Sequence, residues 1–244
     1  MARETQIPKS TTLRAWLLAI RPKTLPASTS GVIAGAAAAF ADGGFRPFVA
    51  LAALAVALLL QIGANVSNDY FDFFKGADTK ERLGPLRVTQ AGLIPPRQVM
   101  AGILVIFGLA GLAGLYLISQ GGWPLAVVGA LAVLSALAYT GGPYPLGYHG
   151  LGDLFVFIFF GLAAVCGTYY AQIQHLAPPV FIPALSIGLL TVNILAVNKL
   201  RDIATDRVSG KRTLAVRLEE KGTQVEFGAC LALAYLIPLG AAIA

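Results

Sequence analysis

Apolar residues run along this chain in blocks of about 20, and polar residues gather in the short gaps between the blocks. No Asp, Glu, Lys or Arg lies between Arg46 and Asp69, between Arg97 and Asp153, or between Asp153 and Lys199. A helix of about 20 residues is roughly 30 Å long, which matches the hydrocarbon layer of a bilayer. The pattern predicts spans at 24–42, 47–67, 98–118, 122–140, 152–173, 178–198 and 223–244. Between them, Asp42-Gly43-Gly44, Gly121-Gly122-Trp123-Pro124, Gly141-Gly142-Pro143 and the stretch from His175 to Pro179 read as loops. Backbone facing lipid must satisfy its own hydrogen bonds, so such blocks are helices. The expected fold is all-α: a transmembrane bundle of seven visible spans around a central cavity open at the cytoplasmic face. Residues 10–23 read as a short amphipathic helix along the interface, anchored by Trp16.

Composition agrees with lipid as the solvent. Of 244 residues, 57% are hydrophobic and only 12% charged, against about 25% charged in a soluble domain. The net charge of +6 is explained by topology and calls for no nucleic acid. With seven spans, every Lys and Arg except Arg46 falls on the side of the N-terminus and the 68–97, 141–150 and 199–222 loops. That is the positive-inside asymmetry, so the N-terminus and these loops are expected to be cytoplasmic, in the cell's inner (cytoplasmic) membrane. Cys166 and Cys230 lie within apolar spans and read as packing residues. The first 30 residues carry no pattern of a cleavable signal peptide. Residues 1–244 read as one domain of two pseudo-repeated halves. The last apolar run reaches Ala244 without a polar tail, as in a C-terminally shortened chain.

The repeat is carried by two polar clusters. Asn65, Asn68, Asp69 and Asp72 stand at the end of the second span, and Asn198, Asp202 and Asp206 at the end of the sixth. At about 100° per residue, each set falls within an arc of about 100° or less on its helix. A carboxylate costs about 2.5–3.5 kcal/mol at the centre of a membrane helix, and less toward the interface. Two like charges about 4 Å apart add roughly 4 kcal/mol at an effective dielectric of 20. Something positive must offset both. Oxygen ligands without His or Cys point to Mg²⁺, which keeps part of its shell for water and phosphate. Two clusters facing one cavity would hold about two such ions with a diphosphate between them.

Basic residues follow both clusters: Lys75, Arg82 and Arg87 after the first, and Lys199, Arg201, Lys211 and Arg212 around the second. They are candidates for a diphosphate clamp. A phosphate-binding mouth above a lipid-filled cleft suits a prenyl diphosphate. Loss of diphosphate leaves an allylic cation, which aromatic faces stabilise. Tyr70, Phe71, Phe73, Tyr139, Tyr144, Phe155 and Phe159 are available, with Tyr139 the best placed.

Asn68-Asp69-Tyr70-Phe71-Asp72 with Asp202-Ile203-Ala204-Thr205-Asp206 resembles the paired NDxxD and DxxxD motifs of the UbiA family of intramembrane prenyltransferases. The stretches 78–94, 139–146, 150–157, 198–202 and 210–216, with the Arg21-Pro22-Lys23-Thr24-Leu25-Pro26 segment, are similar to its menaquinone branch. The resemblance implies transfer of a polyprenyl group from polyprenyl diphosphate to 1,4-dihydroxy-2-naphthoate, with loss of CO₂ and diphosphate, giving demethylmenaquinone. It implies metal-linked roles for Asp69, Asp72, Asp202 and Asp206, assisted by Asn65 and Asn68. It also implies diphosphate contacts from Lys211 and Arg201, and Tyr139 facing the reacting carbon. The family often has a further acid where this chain has Gly76, a place that Asp78 can take. It usually has about nine transmembrane helices.

The rival of another class is a transporter with an intramembrane cation site, but the acids cluster at one face. A membrane phosphotransferase carries a single dense aspartate motif, unlike these two. Within the family, 4-hydroxybenzoate and other aromatic acceptors are the alternatives. The residues that recognise the acceptor are not legible: Tyr148, His149 and Asp153 lie in the right loop, but interface packing explains them equally well. Protein partners are not legible.

Overall fold

Proline at the first or second position opens four of the long helices, where its missing N–H is no loss. A computed structural model describes residues 12–77 and 84–243. In chain order the helices are α1 (Thr12–Ile20), α2 (Leu25–Ala41), α3 (Pro47–Phe74), α4 (Pro96–Gly121), α5 (Trp123–Ala138), α6 (Gly152–Val156), α7 (Ala164–Ile173), α8 (Phe181–Val208) and α9 (Leu214–Ile243). Residues Phe157–Ala163 join α6 to α7 as a π-helical stretch, so 152–173 is one continuous rod. No strand occurs among the described residues.

Among the described residues, six helical segments are long and apolar enough to cross a membrane: Thr12–Ala41, Pro47–Phe74, Pro96–Gly121, Gly152–Ile173, Pro178–Val208 and Leu214–Ile243. The seventh expected span is helix α5, whose 16 residues reach about 24 Å, short of the full hydrocarbon thickness. Two helices outrun the apolar pattern: α3 continues to Phe74 and α8 to Val208. Both polar clusters therefore ride on helical extensions. Helix α9 begins at Leu214, ahead of the expected 223, and is broken at Glu219, where φ is 59°.

Burial is inverted relative to a water-soluble protein. Leu104, Leu112, Leu134 and Tyr235 are exposed, whereas Asp69, Asp72 and Arg87 are buried. The outer surface suits lipid, and the charged groups compensate one another inside.

Small residues let the helices close up. A Cβ on Gly35 of α2 would stand 2.3 Å from the Val165 carbonyl oxygen of α7, and one on Gly161 would stand 2.7 Å from Cα of Gly188 in α8. Neither position admits a side chain. Helix α1 forms as expected, but Trp16 is partly buried against the core of α3 and α4. A Cβ on Gly102 would meet its ring at 2.5 Å. Trp16 thus packs its ring against the bundle.

Candidate active site

The helices enclose a cavity of about 1320 Å³, lined by residues of α1 to α8 and their loops. Its walls reach along α3 from Asp72 to Ala53, a rise of about 28 Å, comparable to the hydrocarbon thickness. One end is charged: Asn68, Asp72, Arg87, Arg201, Asp202, Asp206 and Lys211. The other is apolar, with Val56 and Leu60 of α3, Gly111 and Leu115 of α4, Ala126 and Val133 of α5, and Phe159. A polar mouth thus opens into a deep hydrocarbon well.

Asp72 is the hub of the mouth. Its Oδ2 accepts from Arg87 Nη2 at 2.7 Å, and its Oδ1 accepts from Tyr148 Oη at 2.5 Å and Lys211 Nζ at 3.3 Å. Arg87 comes from the loop after α3, Tyr148 from the 141–150 loop and Lys211 from the loop after α8. One carboxylate therefore gathers three segments.

Asp69 is arranged differently. It is fully buried, and both oxygens are taken by the loop after α3. Val88 N and Thr89 N each donate at 2.9 Å, and Thr89 Oγ1 donates as well. It does not line the cavity. In this arrangement both Asp69 oxygens are engaged away from the cavity, and the helical arc explains why. Positions 68 and 69 lie about 100° apart, so Asn68 faces the cavity while Asp69 turns to the loop. By pinning residues 88 and 89, Asp69 presents Arg87 to Asp72.

Asn68 lines the mouth, its Oδ1 accepting from Thr140 Oγ1 at 2.8 Å. Asn65 lines the cavity too, but its Nδ2 donates to Ile20 O and Thr24 Oγ1, each at 2.9 Å. It fastens the junction of α1 and α2. Asn198 lines the cavity and donates to Ile194 O one turn back on its own helix. Arg201 grips its neighbour Asp202 with two bonds of 2.7 Å. Asp206 lines the same wall.

Lys75 stands apart from the lining. It is exposed, donates to Gly142 O at 3.1 Å and lies 5.1 Å from the Tyr148 ring centre. Partial burial pulls its ammonium below the usual lysine range, with Asp72 opposing and Lys211 reinforcing. Lys211 reaches the same ring from 4.7 Å, so Tyr148 sits between two cations. Arg82 and Asp78 lie outside the described residues.

Of the aromatic candidates, Tyr139, Phe155 and Phe159 line the cavity. Tyr70 and Phe71 pack edge to face, and Phe73 and Tyr144 are exposed. Lys199, on the cavity wall, is paired to Asp153 at 3.1 Å, and both are buried. No local pattern marks this pair, nor the Thr140 and Thr89 bonds, since all join residues far apart in the chain.

Among the described residues, no three His, Cys, Asp or Glu side chains converge as a self-contained metal site. The cavity-facing donors are nonetheless all hard oxygens: Asn68, Asp72, Asp202 and Asp206. Cations of the same chain already balance Asp72 and Asp202. This donor set fits magnesium that takes one or two carboxylates and fills its shell with substrate phosphate and water.

A family model described as "UbiA prenyltransferase family" matches residues 29–244. The chain is 42% identical to a 1,4-dihydroxy-2-naphthoate octaprenyltransferase of Escherichia coli (strain K12), over 93% of this chain and 75% of that protein. It is 41% identical to the protein of the same name from Mycobacterium tuberculosis (strain ATCC 25618 / H37Rv), over 90% and 75%. A solved structure, described as giving insights into "the biosynthesis of Digeranylgeranylglyceryl phosphate synthase in membranes", superposes with a TM-score of 0.63 at 19% identity. It covers 95% of this chain and 78% of its own, a likeness of fold.

Proposed function

The chain belongs to the UbiA prenyltransferase family, and on that footing we propose that it transfers a polyprenyl group from polyprenyl diphosphate to 1,4-dihydroxy-2-naphthoate. CO₂ and diphosphate leave, and the product is demethylmenaquinone, for menaquinone biosynthesis. The observation that carries this reading is the charged mouth above an apolar well about 28 Å deep along α3. A lipid diphosphate matches it end for end.

Each part of the reaction has candidates in this chain. Arg87, Lys211 and Arg201 offer charge-assisted hydrogen bonds to the diphosphate. Prenyltransferases of this family are generally metal-dependent, and Asn68, Asp72, Asp202 and Asp206 would hold about two Mg²⁺ ions. Bound there, the metal neutralises charge developing on the departing diphosphate. Tyr139 turns a π face toward the allylic carbon as its carbon–oxygen bond breaks. The apolar wall keeps water from that carbon until an electron pair of the acceptor ring forms the new carbon–carbon bond. Tyr148, on the cavity wall, and Lys75, outside it, help fix where Asp72 and Lys211 point.

The protein is an integral membrane protein. We place it in the cell's cytoplasmic membrane with the charged mouth inside, because in the sequence every Lys and Arg but Arg46 falls in segments expected on that side. Helices α3 and α8, each 28 residues long, act as counterparts of two related halves.

The test is an acceptor comparison. Purified protein with labelled prenyl diphosphate and Mg²⁺ is offered 1,4-dihydroxy-2-naphthoate or 4-hydroxybenzoate. Preferential prenylation of the naphthoate supports the reading. Preference for the benzoate overturns the acceptor, and transfer to neither overturns prenyl transfer to aromatic rings.

A further inference from the structure

We propose that Lys199 and Tyr139 form the seat of the aromatic acceptor, with the Lys199 ammonium taking its carboxylate. Asp153 is the positioning residue that aims that ammonium. The proposal rests on the prenyl-transfer reading above. It moves Lys199 out of the diphosphate clamp, where its position in the sequence had put it.

Three observations converge here. First, Lys199 is a buried cation on the cavity wall, only 7% exposed. Asp153 accepts from its Nζ at 3.1 Å but does not line the cavity, so it holds the ammonium from behind. An ammonium has three donors, and the cavity side is open to an incoming anion.

Second, Lys199 and Tyr139 converge over a bare stretch of backbone. A Cβ on Gly152 would stand 2.8 Å from Lys199 Nζ and 2.8 Å from Tyr139 Oη. Only glycine lets the two polar tips share that patch. An ammonium beside a phenol matches a ring bearing both a carboxylate and a hydroxyl.

Third, the depth is right for the second substrate and wrong for the first. Along α8, Lys199 lies about 4 Å below Asp202 and about 10 Å below Asp206. The mouth has its own cations, Arg87 and Lys211 on Asp72 and Arg201 on Asp202. A diphosphate held by those leaves its allylic carbon near the level of Lys199 and Tyr139. An acceptor seated there meets the carbon that must be attacked.

The test is two-substrate kinetics of the full chain in nanodiscs, on wild type and Lys199→Met. The variant should raise KM for 1,4-dihydroxy-2-naphthoate about tenfold or more, the usual cost of a lost charged hydrogen bond. KM for the prenyl diphosphate should stay within about twofold of wild type. With 1,4-dihydroxynaphthalene, which lacks the carboxylate, wild type and variant should behave alike. Lys199→Met leaves Asp153 buried without its partner, so Lys199→Met/Asp153→Asn is measured beside it, with thermal melting as the check of fold. The double variant should keep the selective acceptor defect. A rise in prenyl diphosphate KM with an unchanged acceptor KM overturns the proposal and returns Lys199 to the clamp. Equal loss with both acceptors also overturns it, since no carboxylate contact was then removed. If wild type itself prenylates neither acceptor, the underlying prenyl-transfer reading fails, whatever Lys199 does.

Discussion

Lys211, in the loop after α8, reaches Asp72 on α3, its Nζ 3.3 Å from Oδ1 across 139 residues of sequence. That contact links the loop after α8 to the first polar cluster at the mouth of the cavity. Asp72→Ala leaves Lys211 and Arg87 buried around an empty place. Breaking a buried pair costs about 3–5 kcal/mol, so thermal unfolding in detergent should drop markedly and activity should vanish. Lys211→Gln should keep more stability and raise KM for the prenyl diphosphate. Melting curves and donor titrations separate the two effects.

Asp69 and Asp202 look equivalent in the sequence, but their surroundings differ. Asp69 holds the 88–89 loop through three hydrogen bonds, while Asp202 lines the cavity. Asp69→Ala should lose about 1–3 kcal/mol or more of stability from orphaned buried donors, with little change in the Mg²⁺ concentration that half-activates the enzyme. Asp202→Asn should do the reverse. A magnesium titration beside a melting curve checks both.

Gly111 lines the well and has open space where a Cβ would stand. It lies 15 residues into α4 from Pro96, about 22 Å along the helix. Gly111→Phe should block the deep end, so geranyl diphosphate remains a donor while long polyprenyl diphosphates lose most of their rate. Competition between short and long donors reads this directly.

Gly35 meets α7 with no room for a side chain. Gly35→Val should destabilise the bundle by about 1–3 kcal/mol, seen as earlier thermal unfolding, without altering the ratio of the two substrates' KM values.

The seven apolar helices, and the turning of most polar cluster residues toward one cavity, were legible because period and charge spacing are local properties. The ends of α3 and α8 were less so. The helical arc puts Asn68, Asp69 and Asp72 on one helix, but the apolar pattern stops at 67 and does not show how far that helix continues toward Phe74. The arc of about 100° that gathered Asn65, Asn68, Asp69 and Asp72 was wide enough to straddle two environments. Period alone therefore could not tell the loop-holding Asp69 from the cavity-facing Asp72. The Lys199–Asp153 pair and the Tyr148 bond to Asp72 join segments 46 and 76 residues apart, beyond any local pattern. Trp16 reads as an interfacial anchor by type, but Gly102 on α4 makes room for its ring.

The most direct measurement follows carboxyl-labelled 1,4-dihydroxy-2-naphthoate and a labelled prenyl diphosphate together on the purified protein. Prenyl transfer at this site predicts labelled CO₂ and prenylated quinol in equal amounts, both lost with EDTA and restored by Mg²⁺. Diphosphate released without CO₂ or prenylated ring would contradict it.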